Sequence, residues 1–192
     1  MELLFKNIER QVTLSEKDKK ILSEAFHTKK VKRKHFLLEA GEPTKYMYFV
    51  LQGCLRAYYI DKNGFENVVS FAIEDWWMSD FNFHSGAPSI LTIDTLEDSE
   101  VLYIDKISMD KLYDQVPQLD RYFRIILQNA LMAQMQRIMQ INSFTAEERY
   151  VAFQKKYPQF VRRIPQKYLA SFMGITPEFL SKLKKQLLKP AK

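Results

Sequence analysis

Hydrophobic and polar residues follow three different rhythms along this chain. In 14–26, Leu-Ser-Glu-Lys-Asp-Lys-Lys-Ile-Leu-Ser-Glu-Ala-Phe, a Ser precedes a polar turn, and Ile21, Leu22, Ala25 and Phe26 share one helical face. This predicts a short, capped amphipathic helix. From about 31 to 104 the texture changes to short runs rich in Val, Ile, Tyr and Phe. They are broken at Gly41-Glu42-Pro43, Gln52-Gly53, Asp61-Lys62-Asn63-Gly64 and Ser85-Gly86-Ala87-Pro88. Asn63-Gly64, between the apolar runs 55–60 and 65–73, is a strong hairpin signal, because both residues tolerate the positive φ of a two-residue turn. Short strands at roughly even spacing predict a β-sandwich or barrel.

The third rhythm is helical. Residues 105–114 read as a short helix, and Pro117 then opens a long one over 118–142. Its apolar residues include Leu119, Phe123, Ile126, Leu127, Ala130, Leu131, Met132, Ala133, Met135, Ile138, Met139 and Ile141. That stripe is too wide for one contact surface. One side is expected to lie on its own domain and the other to meet a partner helix, most simply in a twofold homodimer. The plainer alternative is an ordinary buried helix.

Charge divides the chain. The whole sequence of 192 residues carries a formal +6. Residues 1–144 hold 18 Lys and Arg against 20 Asp and Glu, a net of −2. Residues 145–192 hold 11 against 3, a net of +8. The basic excess therefore sits in the last quarter, which points to a polyanion-binding appendage on a near-neutral body. A single cysteine, Cys54, excludes an intramolecular disulfide framework and any all-cysteine zinc or iron–sulfur site built by this chain alone. No apolar run approaches bilayer-spanning length, and the start lacks the pattern of a signal peptide, so a cytoplasmic location and no membrane partner are expected.

The basic quarter contains a spaced motif. Residues 165–173 read as a helix with Leu169 and Met173 inward and a small Ala170. Gly174 suits the positive φ of a tight turn, and Ile175 plugs the corner. Thr176 caps a second helix, Pro177 takes its first position, and Leu180 and Leu183 face inward. Together these predict a helix-turn-helix. Its second helix would place Pro177, Glu178, Ser181, Lys182 and Lys185 at the major groove of double-stranded DNA. Glu178 can accept from a cytosine amino group and Lys182 can donate to guanine. A surface salt bridge between these two is the simpler role. Gln166, Lys167, Thr176, Lys184 and Lys189 are candidates for phosphate contact.

With these residues in view, the chain resembles the Crp/Fnr superfamily of bacterial regulators over nearly its full length. The carrying stretches are Phe36-Leu37-Leu38-Glu39-Ala40-Gly41-Glu42, Met47-Tyr48-Phe49-Val50-Leu51-Gln52-Gly53, Asp61-Lys62-Asn63-Gly64 and Thr176-Pro177-Glu178-Phe179-Leu180-Ser181-Lys182. The resemblance implies an α+β fold: an N-terminal cyclic-nucleotide-binding-type β-roll over 1–117, a dimerisation helix over 118–142, and a helix-turn-helix over 143–192 that lacks a wing. Glu178 and Lys182 match the family's base-reading Glu and Arg, whereas Pro177 replaces an Arg.

The implied ligand pocket departs from the family. Ser79-Asp80-Phe81 stands where a Gly-Glu-Leu supplies a ribose-binding Glu. Pro88-Ser89 stands where an Arg-Ser pair clamps a cyclic phosphate. No Lys or Arg occurs between Lys62 and Lys106, and a buried anion without a cation is costly. Cyclic AMP is therefore not expected as the effector. Trp77 and Phe81, with Trp76, Phe83 and His84, suggest either an aromatic pocket for a less anionic effector or simply core packing.

The histidines His27, His35 and His84 are scattered, and no phosphate loop, nucleophile elbow or catalytic carboxylate pair stands out. Neither an enzyme nor a metal or iron–sulfur centre is expected. The competing function is a ligand-binding or protein-interaction module whose helix-turn-helix no longer reads DNA.

Overall fold

A computed structural model describes residues 1–187. Lys189, one of the expected phosphate contacts, lies outside them. The chain forms two compact units. The first comprises 1–59 and 70–129, the second 60–69 and 130–192.

In the first unit, α1 (Glu2–Glu9) and α2 (Glu16–Ala25) precede the strands. The Ser15 hydroxyl accepts from the Asp18 amide while the Asp18 carboxylate accepts from the Ser15 amide, a reciprocal cap that fixes where α2 starts. Eight strands follow: β1 (His27–Val31), β2 (Phe36–Leu38), β3 (Tyr46–Gln52), β4 (Cys54–Ile60), β5 (Glu66–Ile73), β6 (Trp77–Met78), β7 (Thr92–Thr95) and β8 (Ser99–Asp105). They form two four-stranded sheets, ordered β1-β8-β3-β6 and β2-β7-β4-β5. The β3–β4 turn requires glycine. Gly53 has φ 102°, and a Cβ there would stand 2.2 Å from Ser99 Oγ.

Strand alternation sorts β3 by face. Phe49, with Leu102 and Ile104 of β8, packs into a core completed by Leu4, Ile8, Leu22, Phe26, Met109, Leu112, Val116, Leu119, Tyr122 and Phe123. The helical half of that core comes from α1, α2, α3 (Lys106–Gln115) and the first turns of α4 (Gln118–Ser143). Asp105 caps α3 by accepting from the Ser108 amide at 2.9 Å.

A polar chain crosses this apolar layer. Trp77 Nε1 donates to the Tyr122 hydroxyl at 2.7 Å, and Tyr122 donates in turn to Asn7 Oδ1. Asn7 Nδ2 donates to both the carbonyl and Oδ1 of Asp75, each at 2.9 Å. Arg10 closes the chain on Asp75 Oδ2 at 2.5 Å. Asp75 itself adopts φ 73°, which is unusual for a residue with a side chain. Burial pushes the Tyr122 pKa well up, so its hydroxyl remains a donor.

α4 is buried only at its start, at Leu119, Tyr122 and Phe123. Farther along, Leu127, Leu131, Met135 and Ile138 are all more than half exposed. Their spacing of four, four and three residues makes one continuous apolar row.

The second unit holds the end of the β4–β5 hairpin, the rest of α4, and α5 (Ala146–Lys156), α6 (Pro158–Arg163), α7 (Gln166–Met173) and α8 (Pro177–Leu187). The hairpin turns at Asp61, whose carboxylate accepts from the Asn63 and Phe65 amides. Thr145 and Glu148 cap α5 reciprocally. The core gathers Tyr150, Phe153, Phe160, Ile164, Leu169, Ala170, Met173, Leu180 and Leu183, all buried.

Candidate nucleic-acid interface and roll site

The helix-turn-helix is assembled from local signals. Gly174 ends α7 at φ 67°, and the Ile175 amide returns to the Ala170 carbonyl at 3.1 Å. That left-handed cap reverses the chain without straining a side chain. Thr176 Oγ1 then accepts from the Phe179 amide at 3.2 Å, and its carbonyl accepts from Leu180, so α8 starts at Pro177. Leu180 and Leu183 are buried against α7 and its neighbours. Pinning these two positions turns the opposite face outward. On it, Pro177, Glu178, Ser181, Lys182 and Lys185 line one open concavity. Among the described residues no ion pair joins Glu178 to Lys182, so both keep their hydrogen-bonding capacity for a ligand.

The remaining candidates are more committed. Gln166 Nε2 donates to the Pro177 carbonyl at 3.0 Å, tying the start of α7 to the start of α8. Lys167 Nζ lies 4.5 Å from the Tyr168 ring centre, and Lys184 Nζ 5.8 Å from that of Tyr150.

In the roll, the structure brings Asp80 and Ser89 together. Both are buried, and Ser89 Oγ lies 2.8 Å from Asp80 Oδ2. Asp80 Oδ1 accepts from the Asn82 amide at 2.7 Å and from Thr44 Oγ1 at 3.4 Å. Ser89 also accepts from the Leu91 amide. The carboxylate is thus surrounded by neutral donors, and among the described residues no Lys or Arg reaches it. Ser79 Oγ turns onto the Asp80 carbonyl. The Pro88 carbonyl accepts from Asn82 Nδ2, and Pro88 bridges Pro43.

The aromatic residues do not form one pocket wall. Trp77 packs edge-on to Phe49 and Phe123 at 5.1 and 5.2 Å, Phe83 is core, and Phe81 is 75% exposed. Trp77 and Phe83 pack into the apolar core while Phe81 faces outward, and Asp80 and Ser89 are the two candidates that meet in a buried hydrogen bond.

One functional-looking group escaped sequence reasoning. Arg56 is 2% exposed. Its Nε and Nη2 donate to the two carboxylate oxygens of Asp94 at 2.9 and 2.5 Å, and its guanidinium lies 3.9 Å over the Tyr58 ring. The antiparallel register that sets Arg56 opposite Asp94 is the only signal that joins them.

Residues 28–116 match the cyclic nucleotide-binding domain family. The chain is 25% identical over 190 residues to the anaerobic regulatory protein of Pasteurella multocida, covering 92% of this chain and 69% of that protein. It is 23% identical to the fumarate and nitrate reduction regulatory protein of Vibrio cholerae, over 89% of this chain and 73% of that one. In fold it is similar to FixK2 from Bradyrhizobium japonicum, with a TM-score of 0.73 at 19% identity over 84% of each chain. No helix among the described residues is long and apolar enough to cross a membrane. Residues 28–116 therefore belong to the cyclic nucleotide-binding domain family, and the proteins that the chain resembles over most of its length are named as regulatory proteins.

Proposed function

We propose that this chain is a DNA-binding transcriptional regulator of the Crp/Fnr type, acting as a homodimer joined along 118–142 that sets two copies of α8 into successive major grooves of double-stranded DNA. The observation that carries the reading is the outward face of α8, where Glu178, Ser181, Lys182 and Lys185 stand together over buried Leu180 and Leu183. Glu178 and Lys182 read base edges, and Ser181 and Pro177 lie against the groove wall. Lys185, Lys184, Lys167 and the Thr176 turn meet phosphates. Gln166 serves mainly to brace the two helices, since its amide already donates to Pro177. The exposed row Leu127, Leu131, Met135 and Ile138 supports dimerisation through α4, because an apolar stripe of this length is normally covered by a second helix.

The roll is not built for a cyclic phosphate. Asp80 meets hydroxyl and amide donors only, and Arg56 is already committed to Asp94. A buried phosphate would face a carboxylate with, among the described residues, no cation in reach to offset it. An effector of this roll is uncharged or cationic.

The test is a salt titration of binding to the chain's own promoter region. Specific binding with a steep slope is expected. The slope should fall by about one for each of Lys182→Ala and Lys185→Ala. Saturating cyclic AMP should change neither affinity nor slope. Weak binding indifferent to sequence at every salt concentration would sink the regulator reading in favour of a protein-interaction module.

A further inference from the structure

The turn of the helix-turn-helix is held from behind by two arginines that have no acidic partner among the described residues. Arg137 of α4 donates from Nη2 to the Phe172 carbonyl at 2.8 Å and from Nη1 to the Val69 carbonyl of β5 at 2.9 Å. Its guanidinium lies 4.0 Å over the Phe172 ring. Arg149 of α5 donates to the Phe144 carbonyl at 2.7 Å and reaches the Met173 carbonyl at 3.4 Å. Phe172 and Met173 are the last two residues of α7. Their carbonyls have no partner within the helix and carry its negative end.

The Ser171 hydroxyl sets the register. Ser171 Oγ accepts from the Val68 amide at 2.9 Å and donates to the Glu66 carbonyl at 2.8 Å. One side chain of α7 thereby completes two main-chain groups at the free edge of β5. All of these residues belong to the same compact unit.

Carbonyl partners alone are an expensive way to hold a guanidinium. Burial lowers the Arg137 pKa, and the Nε atoms of both arginines are buried without a hydrogen-bond partner. A carboxylate would satisfy them better, yet among the described residues none reaches either one. The arrangement trades ionic stability for geometry: a planar fork fixes the direction of the carbonyls it binds, whereas an ammonium does not.

We propose that Arg137 and Arg149 are positioning residues for sequence reading, with Ser171 as their registering partner. They clamp the C-terminal end of α7 onto the β4–β5 hairpin and α4, and so fix the angle at which α8 is presented. The clamp rests on the DNA-reading function argued above.

The experiment compares wild type, Arg137→Met, Arg137→Lys and Ser171→Ala, each as the full chain. The duplex is one enriched by the wild type from a randomised pool, with poly(dI·dC) as the non-specific reference. In Arg137→Met, affinity for the enriched duplex should fall by roughly tenfold or more, the loss of about one misaimed base contact. Affinity for poly(dI·dC) and the salt slope should stay unchanged, and Arg137→Lys should not restore specificity. Ser171→Ala, the milder change, should lower specificity less and speed hydrogen exchange at the Val68 amide.

A slope reduced by about one, with both affinities lowered, would make Arg137 a phosphate contact and overturn the clamp. A lowered melting temperature with specificity intact below it would make the clamp mere scaffolding, and also overturn it. If the wild type enriches no duplex, it is the DNA-reading function that fails. Val68 exchange then still tests the Ser171 contact by itself.

Discussion

Arg56 in the roll meets Asp94 through two hydrogen bonds at 2% exposure, whereas Arg137 in the second unit is held, among the described residues, by carbonyls and an aromatic face. The first arrangement is electrically closed. Fork and carboxylate match in charge and geometry, so neither is available to a ligand. The second is electrically open. Its positive charge is oriented by carbonyl dipoles and answered by no carboxylate among the described residues. Asp80 is the mirror image of Arg137, a buried carboxylate held by neutral donors. Where the charge is closed, the region is built to stay as it is. Where it is open, something outside the chain is left to answer it.

The largest effect expected from this contrast is on folding. Arg56→Met strands Asp94 in the interior and should cost roughly 3–5 kcal/mol in urea unfolding, more than Arg137→Met, which strands only carbonyls. Equal losses would erase the distinction between closed and open sites. Next comes Ser89→Ala, which removes one donor from Asp80 and should cost roughly 1–3 kcal/mol. A stability unchanged within error would mean that water or a ligand replaces the hydroxyl.

The smallest is a pH effect. The Ser108 amide, helped by its hydroxyl, holds the Asp105 carboxyl below its ordinary 3.8. A depressed folded-state value adds stability that is complete above the unfolded value and is lost as pH falls through the folded one. Thermal unfolding should therefore show a shallow loss below about pH 4, confined in Asp105→Asn to the other carboxylates. An identical acid profile in that variant would remove the cap from the account.

What the sequence discloses and what it hides follow from distance along the chain. Ser15 with Asp18, Gly174 and Thr176-Pro177 act within a few residues, and each forms the cap or turn its chemistry requires. Asn63-Gly64 does mark the hairpin, but only Gly64 takes a positive φ, in a five-residue loop that Asp61 organises rather than a two-residue turn. α1 went unread although Leu4 and Ile8 stand one turn apart and are both buried, because eight residues without a side-chain cap give a weak period. Arg56 and Asp94 lie 38 residues apart, so only a strand register that no local pattern encodes brings them together. The aromatic residues of 76–83 leave two readings open, a pocket or the core. Composition cannot say whether Trp77 faces a cavity or the core, whereas the hydrophobic layer under α4 leaves no choice. Ser171 carried no signal, since its partners are main-chain groups about 105 residues away.

The hydrogen bond from Trp77 to Tyr122 makes the first turn of α4 optically visible. The indole is enclosed by Phe26, Phe49 and Phe123, and its single N–H depends on where α4 begins. A sliding or tilting of that turn changes the polarity around the ring, and tryptophan emission shifts with it. The chain thus carries its own fluorophore at the base of the helix on which dimerisation would rest, and an effector can be sought by spectroscopy without attaching a label.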